Sequence, residues 1–524
     1  MPGAGNVPAE QAAARPETSG LGKARPAAVA PRTPRAESLP PLLIKGSTVE
    51  VDTRNFKAVF STSGARLLSL KLKAYRALGT TVCEDLVPLR AADIPVGALS
   101  VRLSDSPSSA YAKARPNLAS IDLSREDGGQ ARTLSFRSQL PGRLVLEKNL
   151  TFKPEGYEVG VEIVLSGPAP RHLDLVWHPG IGYSKNEEEI LGRQGTYQNN
   201  PLAVILTSEK RIKQSVEKNP KEQAGTSPFW AALGNRYFVA ALVPSALAEM
   251  SGVEYVEGLA ESDGPAGNLL AGLRFHLKAG ASNVRIPLRL YAGPKQYETL
   301  KAAGSRLEKA IDLGFFGSLA LILLKTLKFF ARFVINYGVA IILLTVLVKL
   351  ILWFPSQWGM DQMKRIKDIQ PQIKFVTEKF KDEPQRKQEE MMRLYREYKV
   401  NPLGGCLPIL LQIPVFFALW SALNSAIELR GAPFFLWIHD LSSKDPFYVM
   451  PVLVGVTMWI QQAMTPVAGD PSQAKMMRWM SLVFVVMFAT MPSGLMIYWL
   501  TQNMIQIVQQ WYTNKNSAPA GTRR

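Results

Sequence analysis

Two regimes of hydrophobic patterning divide the chain. Up to about Leu307 apolar residues fall in short alternating stretches, and from about Phe315 to Tyr512 they gather in long, nearly uncharged runs. Alternation sends successive side chains to opposite faces of a strand, whereas long uncharged runs mark helices that meet lipid. Val49 and Val51, then Phe56, Ala58 and Phe60, alternate between Gly, Ser or Asn boundaries. The clearest strand covers 157–163, with Tyr157, Val159, Val161 and Ile163 on one face, and Leu173, Leu175 and Trp177 repeat the pattern. Many such strands with Pro and Gly punctuation predict an all-β, sandwich-type domain over residues 45–308, closing in a helix from Lys295 to Lys309.

The second regime predicts a membrane α-helical bundle. Residues 312–335 carry Lys325, Lys328 and Arg332 at i, i+3 and i+7, as in an amphipathic helix lying along the membrane surface; a longer spanning helix beginning here is the alternative. Five spans are predicted, at 338–355, 406–427, 447–464, 476–491 and 495–512, within a core of 336–512. The fourth is short for a hydrocarbon core of about 30 Å. Residues 356–405 place Met363, Ile366, Ile369, Ile373, Val376 and Phe380 at helical spacing and break at Asp382-Glu383-Pro384, which predicts a helical hairpin outside the membrane.

Charge orients these elements. The hairpin holds eleven Lys and Arg, the 428–446 loop only Arg430 and Lys444, and the turn at Pro492 none. The positive-inside rule therefore puts the hairpin, the 465–478 loop and the C-terminus in the cytoplasm and the β domain outside. Loop charges are also the first explanation of the net charge of +18, which does not by itself indicate nucleic acid. Residues 1–44, rich in Ala, Pro, Gly and Arg, read as a disordered linker, and 513–524 as a short basic tail. An exported domain needs a signal, and 1–46 hold no apolar run long enough, so a further membrane-spanning segment is expected before Met1. Cys83 and Cys406 make a disulfide framework improbable, and the four histidines have no metal-ligand spacing.

The chemistry centres on Lys349. It lies within an apolar span, where an ionisable group costs about 2.5–3.5 kcal/mol, and no Asp or Glu occurs in the five spans to pair with it. A polar cavity explains it; snorkelling to the nearby cytoplasmic interface is the alternative. Thr345 shares its face, and Tyr498, Gln502, Gln506 and Gln509 form a stripe on the last span. Gln412, Asn424, Gln461 and Gln462 add polar atoms, although a single Gln more often only bridges helices. The spans lack the repeats and carboxylates of a coupled transporter and the Ser with His or paired Asp of a protease. No cofactor or metal is expected.

The run Asn401 through Pro402-Leu403-Gly404-Gly405-Cys406 to Gln412-Ile413-Pro414 resembles the signature entering the corresponding span of YidC insertases. So do Phe435-Leu436-Trp437-Ile438-His439-Asp440-Leu441, Asp445-Pro446 and Phe488 through Pro492-Ser493-Gly494 to Tyr498. Asn235-Arg236-Tyr237-Phe238 and Tyr291 to Lys295 resemble motifs of the bacterial outer domain. The resemblance, over about 45–512, implies a non-enzymatic insertase and chaperone of the bacterial inner membrane, with a hydrophilic groove open to the cytoplasm and laterally to lipid. It puts Lys349 where the family commonly has an arginine, which keeps the charge and loses the planar fork. Thr345 falls on a groove-lining position and Tyr498 and Trp499 where aromatics meet the client; Gln412, Gln502 and Gln506, from the polar residues of the spans, are the further candidate groove contacts. Nascent membrane proteins, the lipid bilayer, the Sec translocon, the ribosome and the signal recognition particle receptor are the implied partners. Lys364, Arg365, Lys367, Arg393 and Arg396 are the implied hairpin contacts, with a merely solvated hairpin as the alternative.

Overall fold

A computed structural model describes residues 48–515 other than 63, 78–80, 88–96, 105–124, 129–130, 179–180, 182–201, 216–222, 227, 246–249, 260–268, 279, 402–406, 465–478 and 480–482. The predicted linker 1–44, Cys406 and the tail beyond 515 lie outside the described residues.

Among the described residues eighteen strands, numbered in chain order, make three sheets. A four-stranded sheet runs in sequence through β1 Thr48–Asp52, β2 Phe56–Ser61, β3 Leu67–Arg76 and β4 Cys83–Asp85. A five-stranded sheet uses β5 Ser100–Ser104, β10 His172–Trp177, β13 Gln223–Thr226, β16 Met250–Leu259 and β17 Leu269–Leu277, in the order β13-β16-β17-β10-β5. The nine-stranded sheet orders β12-β11-β14-β15-β18-β9-β8-β7-β6. Its strands are β6 Arg125–Gly128, β7 Ala131–Leu140, β8 Leu144–Phe152, β9 Glu158–Ser166, β11 Leu202–Thr207, β12 Arg211–Ser215, β14 Pro228–Gly234, β15 Phe238–Pro244 and β18 Asn283–Pro294. Neighbouring strands pair antiparallel.

Strands β8 and β9 alternate cleanly, burying Val159, Val161, Ile163 and Leu165 against the shared core. The predicted strand thus starts one residue late, at Glu158, leaving Tyr157 half-buried. Strands β11, β14 and β15 are buried on both faces. One face joins the sandwich core, and the other lies under helix α1, Tyr297–Ala303, and the 3-10 turn Leu307–Ala310. The expected continuous helix from Lys295 to Lys309 is therefore two pieces. Gly304 breaks it at φ +76°, a conformation glycine adopts without a Cβ clash, and Ser305 and Arg306 follow with positive φ.

Eight more helices follow among the described residues: α2 Gly317–Val334, α3 Tyr337–Ile351, α4 Trp353–Asp368, α5 Gln370–Lys379, α6 Pro384–Glu397, α7 Leu407–Ser425, α8 Val449–Met464 and α9 Ser493–Lys515. Residues 483–488 are also helical. Helix α2 packs on α3 and α7, and α9 packs mainly on α8 and α3. Ala320, Leu323, Leu344, Ala418, Ala422, Val454, Phe488 and Tyr498 share their core. The outside is apolar too: Leu350, Trp459, Val486 and Val508 are each at least 60% exposed. Such a surface is stable in lipid and aggregates in water.

Among the described residues no single helix is both long and apolar enough to cross a membrane. Helices α3 and α4 reach that length only as a pair bent by 65°, and Leu410–Ser425 and Val449–Met464 are shorter apolar helices. Beyond the bend, α5 and α6 form a hairpin around Ile366, Ile369 and Ile373, three of the apolar positions read from the 356–405 spacing, together with Tyr395.

Candidate functional site

Lys349 does not sit mid-helix as its place in 338–355 suggests. Helix α3 ends at Ile351, so Lys349 is in its last turn, at the bend into α4, where the unpaired helix carbonyls favour a cation. The side chain is 5% exposed. It lines a cavity of about 250 Å3 between α3, α4, α7, α8 and α9, and none of the described residues around that cavity is acidic. Its ammonium donates to Oε1 of Gln506.

The remaining walls divide by chemistry. Gln412, Gln461, Gln502, Asn503, Gln506 and Ser356 are polar; Leu352, Leu411, Ile413, Phe416, Tyr498 and Trp499 are apolar or aromatic. Gln412 bridges α7 and α9, donating through Nε2 to the Tyr498 hydroxyl and accepting at Oε1 from Gln502 Nε2 at 3.0 Å. Asn503 turns to α8, where its Nδ2 donates to Thr457 Oγ1 at 3.0 Å. Trp499 lies between Phe416 and Phe488, with ring centroids 4.9 and 4.8 Å away.

Lys349, Gln412, Tyr498, Trp499, Gln502 and Gln506 thus surround one cavity, whereas Thr345, expected beside them, does not. Thr345 is 1% exposed and its hydroxyl donates to the Ile341 carbonyl one turn back, at 2.7 Å, so it satisfies itself within the helix. Gln509, the last of the predicted stripe, is fully buried below the cavity, between Ser356 and Gln357. Sequence reasoning missed Asn503, one residue off the stripe, and Ser356, at the helix bend. In the hairpin Arg365, Arg393 and Arg396 are exposed and Lys364 half-exposed, and the side chain of Lys367 lies outside the described set.

The opposite end of the bundle is closed by backbone and carboxylates. Asp440 Oδ1 accepts from Gly431 N and Ser442 N, and Asp445 accepts from the Trp437 indole, Phe447 N and Met450 N. Ser493 N donates to Ser443 O at 2.7 Å and Gly494 N to Leu441 O at 2.9 Å, stapling the turn at Pro492 to the 430–446 loop. The β domain docks here. Arg430 and Glu84 form an ion pair at 2.6 Å with side chains only 5% and 6% exposed, and Arg236 Nε donates to Asn424 O at 2.6 Å. Burial raises the Glu84 pKa, with Arg430 opposing the shift.

Fold and site together define a class: an apolar-surfaced helical bundle enclosing a polar, cation-bearing cavity and carrying a docked all-β domain. Residues 329–520 match the family model described as 60Kd inner membrane protein, and residues 48–326 that of the YidC periplasmic domain. A membrane protein insertase YidC of Syntrophus aciditrophicus strain SB is 38% identical over 488 residues, covering 90% of this chain and 86% of that protein. That of Geobacter metallireducens is 35% identical over 521 residues, covering 98% and 94%. A solved structure of an active YidC insertase, with its first transmembrane domain resolved, aligns over 89% of this chain and 93% of its own at 18% identity and a TM-score of 0.39. The chain belongs to the YidC family of membrane protein insertases. It is an inner membrane protein with a periplasmic domain, is not an enzyme, and works on client membrane proteins and the lipid bilayer.

Proposed function

We propose that the cavity receives the polar tail of a client while the client's apolar helix passes between α7 and α9 into lipid. The observation that carries this reading is the convergence of six separately predicted residues, Lys349, Gln412, Tyr498, Trp499, Gln502 and Gln506, on one space. A charge crossing hydrocarbon costs about 2.5–3.5 kcal/mol on insertion scales. Amides that can exchange hydrogen bonds, and a cation that attracts carboxylates, lower that barrier without making or breaking a covalent bond.

Helices α3 and α8, of 15 and 16 residues, are about 23 Å long, short of a hydrocarbon core of about 30 Å. A bilayer thinned around them shortens the path. The excess of Lys and Arg in the hairpin supports a cytoplasmic α5 and α6 and an outward β domain. Helix α2, with Phe329 and Phe333 exposed and Lys328 paired to Glu428 at 2.6 Å, lies along the outer interface as the amphipathic helix of 312–335. The exposed Arg365, Arg393 and Arg396 are contacts for the ribosome or the signal recognition particle receptor, and the Sec translocon supplies some clients.

A photoreactive residue at position 506 tests the reading in vesicles. It is expected to crosslink the tail of a client caught during insertion; crosslinks only from the lipid-facing position 459 would overturn it.

A further inference from the structure

The geometry points to helix α7 as a hinged wall of the cavity, with Gln412 as its latch. The inference rests on the cavity being the client site and states which of its walls moves.

The outer half of α7 is fixed. Ser425 Oγ and Ser421 Oγ donate to the Asp312 carbonyl at 3.1 and 3.4 Å, Asn424 O accepts from Arg236, and Ala418, Leu419, Ala422 and Leu423 are buried in the bundle core. Pro414 then interrupts the helix from within. Lacking an N–H, it leaves the Leu410 carbonyl without its helical donor, and its ring crowds that turn, which makes this the place where α7 bends most easily. The half before Pro414 leaves Leu410 56% and Ile413 41% exposed.

Among the described residues, what ties that half to α9 by hydrogen bonds is one amide used at both ends, while α7 also packs on α4. Gln412 donates to Tyr498 and accepts from Gln502. The aromatic contact between Phe416 and Trp499 lies beyond Pro414, on the side of the fixed half. Helix α9 leans mainly on α8 and α3, so it stays in place when α7 swings. With the cavity empty, breaking the clasp strands buried polar groups. A client's polar tail supplies replacement donors and acceptors, so the same groups exchange partners and the wall opens.

The test uses the full chain in lipid vesicles with Cys83 and Cys406 replaced by serine. Spin labels at the exposed positions 410 and 508 report the seam, and labels at 452 and 508 serve as control. The added client is a synthetic single-span peptide with an acidic tail, and a photoreactive residue at 506 reports its arrival. The 410–508 distance is expected to lengthen by about 10 Å with peptide, the width of a helix, while 452–508 stays constant. Gln412→Leu and Tyr498→Phe are each expected to show the long distance without peptide, so either variant carries the test if the other fails to fold. An unchanged 410–508 distance with peptide crosslinked at 506 removes the hinge and leaves the cavity as client site. Neither movement nor crosslink removes both, and variants matching the parent protein remove the latch.

Discussion

Replacing Arg430 with Met tests whether charge holds the β domain on the bundle. Glu84 would stay in a site where its side chain is 6% exposed, without the guanidinium now 2.6 Å away. Removing one partner of a buried pair costs about 3–5 kcal/mol, because the remaining charge is uncompensated. That amounts to roughly two to four orders of magnitude in the docking equilibrium. Glu84→Leu with Arg430→Met removes both charges and is expected to lie within about 2 kcal/mol of the parent protein, since buried pairs contribute little beyond their own desolvation. Hydrogen exchange of strand β4 in the full chain is the assay: fast in the single variant, restored in the double. The defect has a pH signature. Burial already raises the Glu84 pKa and Arg430 opposes it, so losing Arg430 raises it further. A carboxyl whose folded pKa is raised costs stability as pH climbs through that value, so the single variant is worse at pH 8 than at pH 5. Unchanged exchange in Arg430→Met, or a double variant as fast as the single, would refute the reasoning.

Lys148 and Lys295 are buried, and burial lowers the pKa of each from 10.5 to about 7. The unfolded chain then binds more protons between pH 7 and 10.5, so the β domain is expected to gain stability from pH 7 to 9, by up to ~1.4 kcal/mol per unit and group; Lys148→Met should flatten that slope in chemical unfolding followed by tryptophan fluorescence, and a flat parent profile would contradict it. Asp174→Asn breaks a pair in which Arg274 donates to both carboxylate oxygens at 2.8 and 2.9 Å, and is expected to destabilise the five-stranded sheet by about 3 kcal/mol, read as a lower unfolding midpoint. Gly338→Ala would push a methyl into the Phe434 ring at the start of α3; a loss of about 1–3 kcal/mol is expected, and a neutral result would show that the loop yields.

The parts of this structure visible in the sequence follow from repeating patterns. Period-two alternation located β9 and β10, helical spacing located the α5 and α6 core, and an isolated cation in an apolar run led to the cavity. Lys148 went unread, although it occupies an inward position of β8 between Leu146 and Leu150, where its ammonium donates to Ala65 O and Leu99 O. What stayed hidden depends on residues far apart in the chain. Arg430 read only as a loop charge and Glu84 not at all, and over the 346 positions between them no local pattern pairs the two. Thr345 misled because a hydroxyl on an apolar helix has a donor's choice between a cavity and its own backbone. The position of Lys349 shifted because the apolar run continues through Trp353 and Phe354 while the helix axis turns after Ile351.

The most direct measurement is insertion into vesicles by Lys349→Ala and Lys349→Arg, with matched single-span clients whose translocated tails are acidic or uncharged. Insertion of acidic tails should fall about tenfold or more in Lys349→Ala and hold in Lys349→Arg, while uncharged tails pass in both; a tenfold loss corresponds to about 1.4 kcal/mol, within what charge stabilisation at membrane depth supplies. Acidic tails entering at the parent rate in Lys349→Ala would contradict the claim that this cation eases the passage of charge.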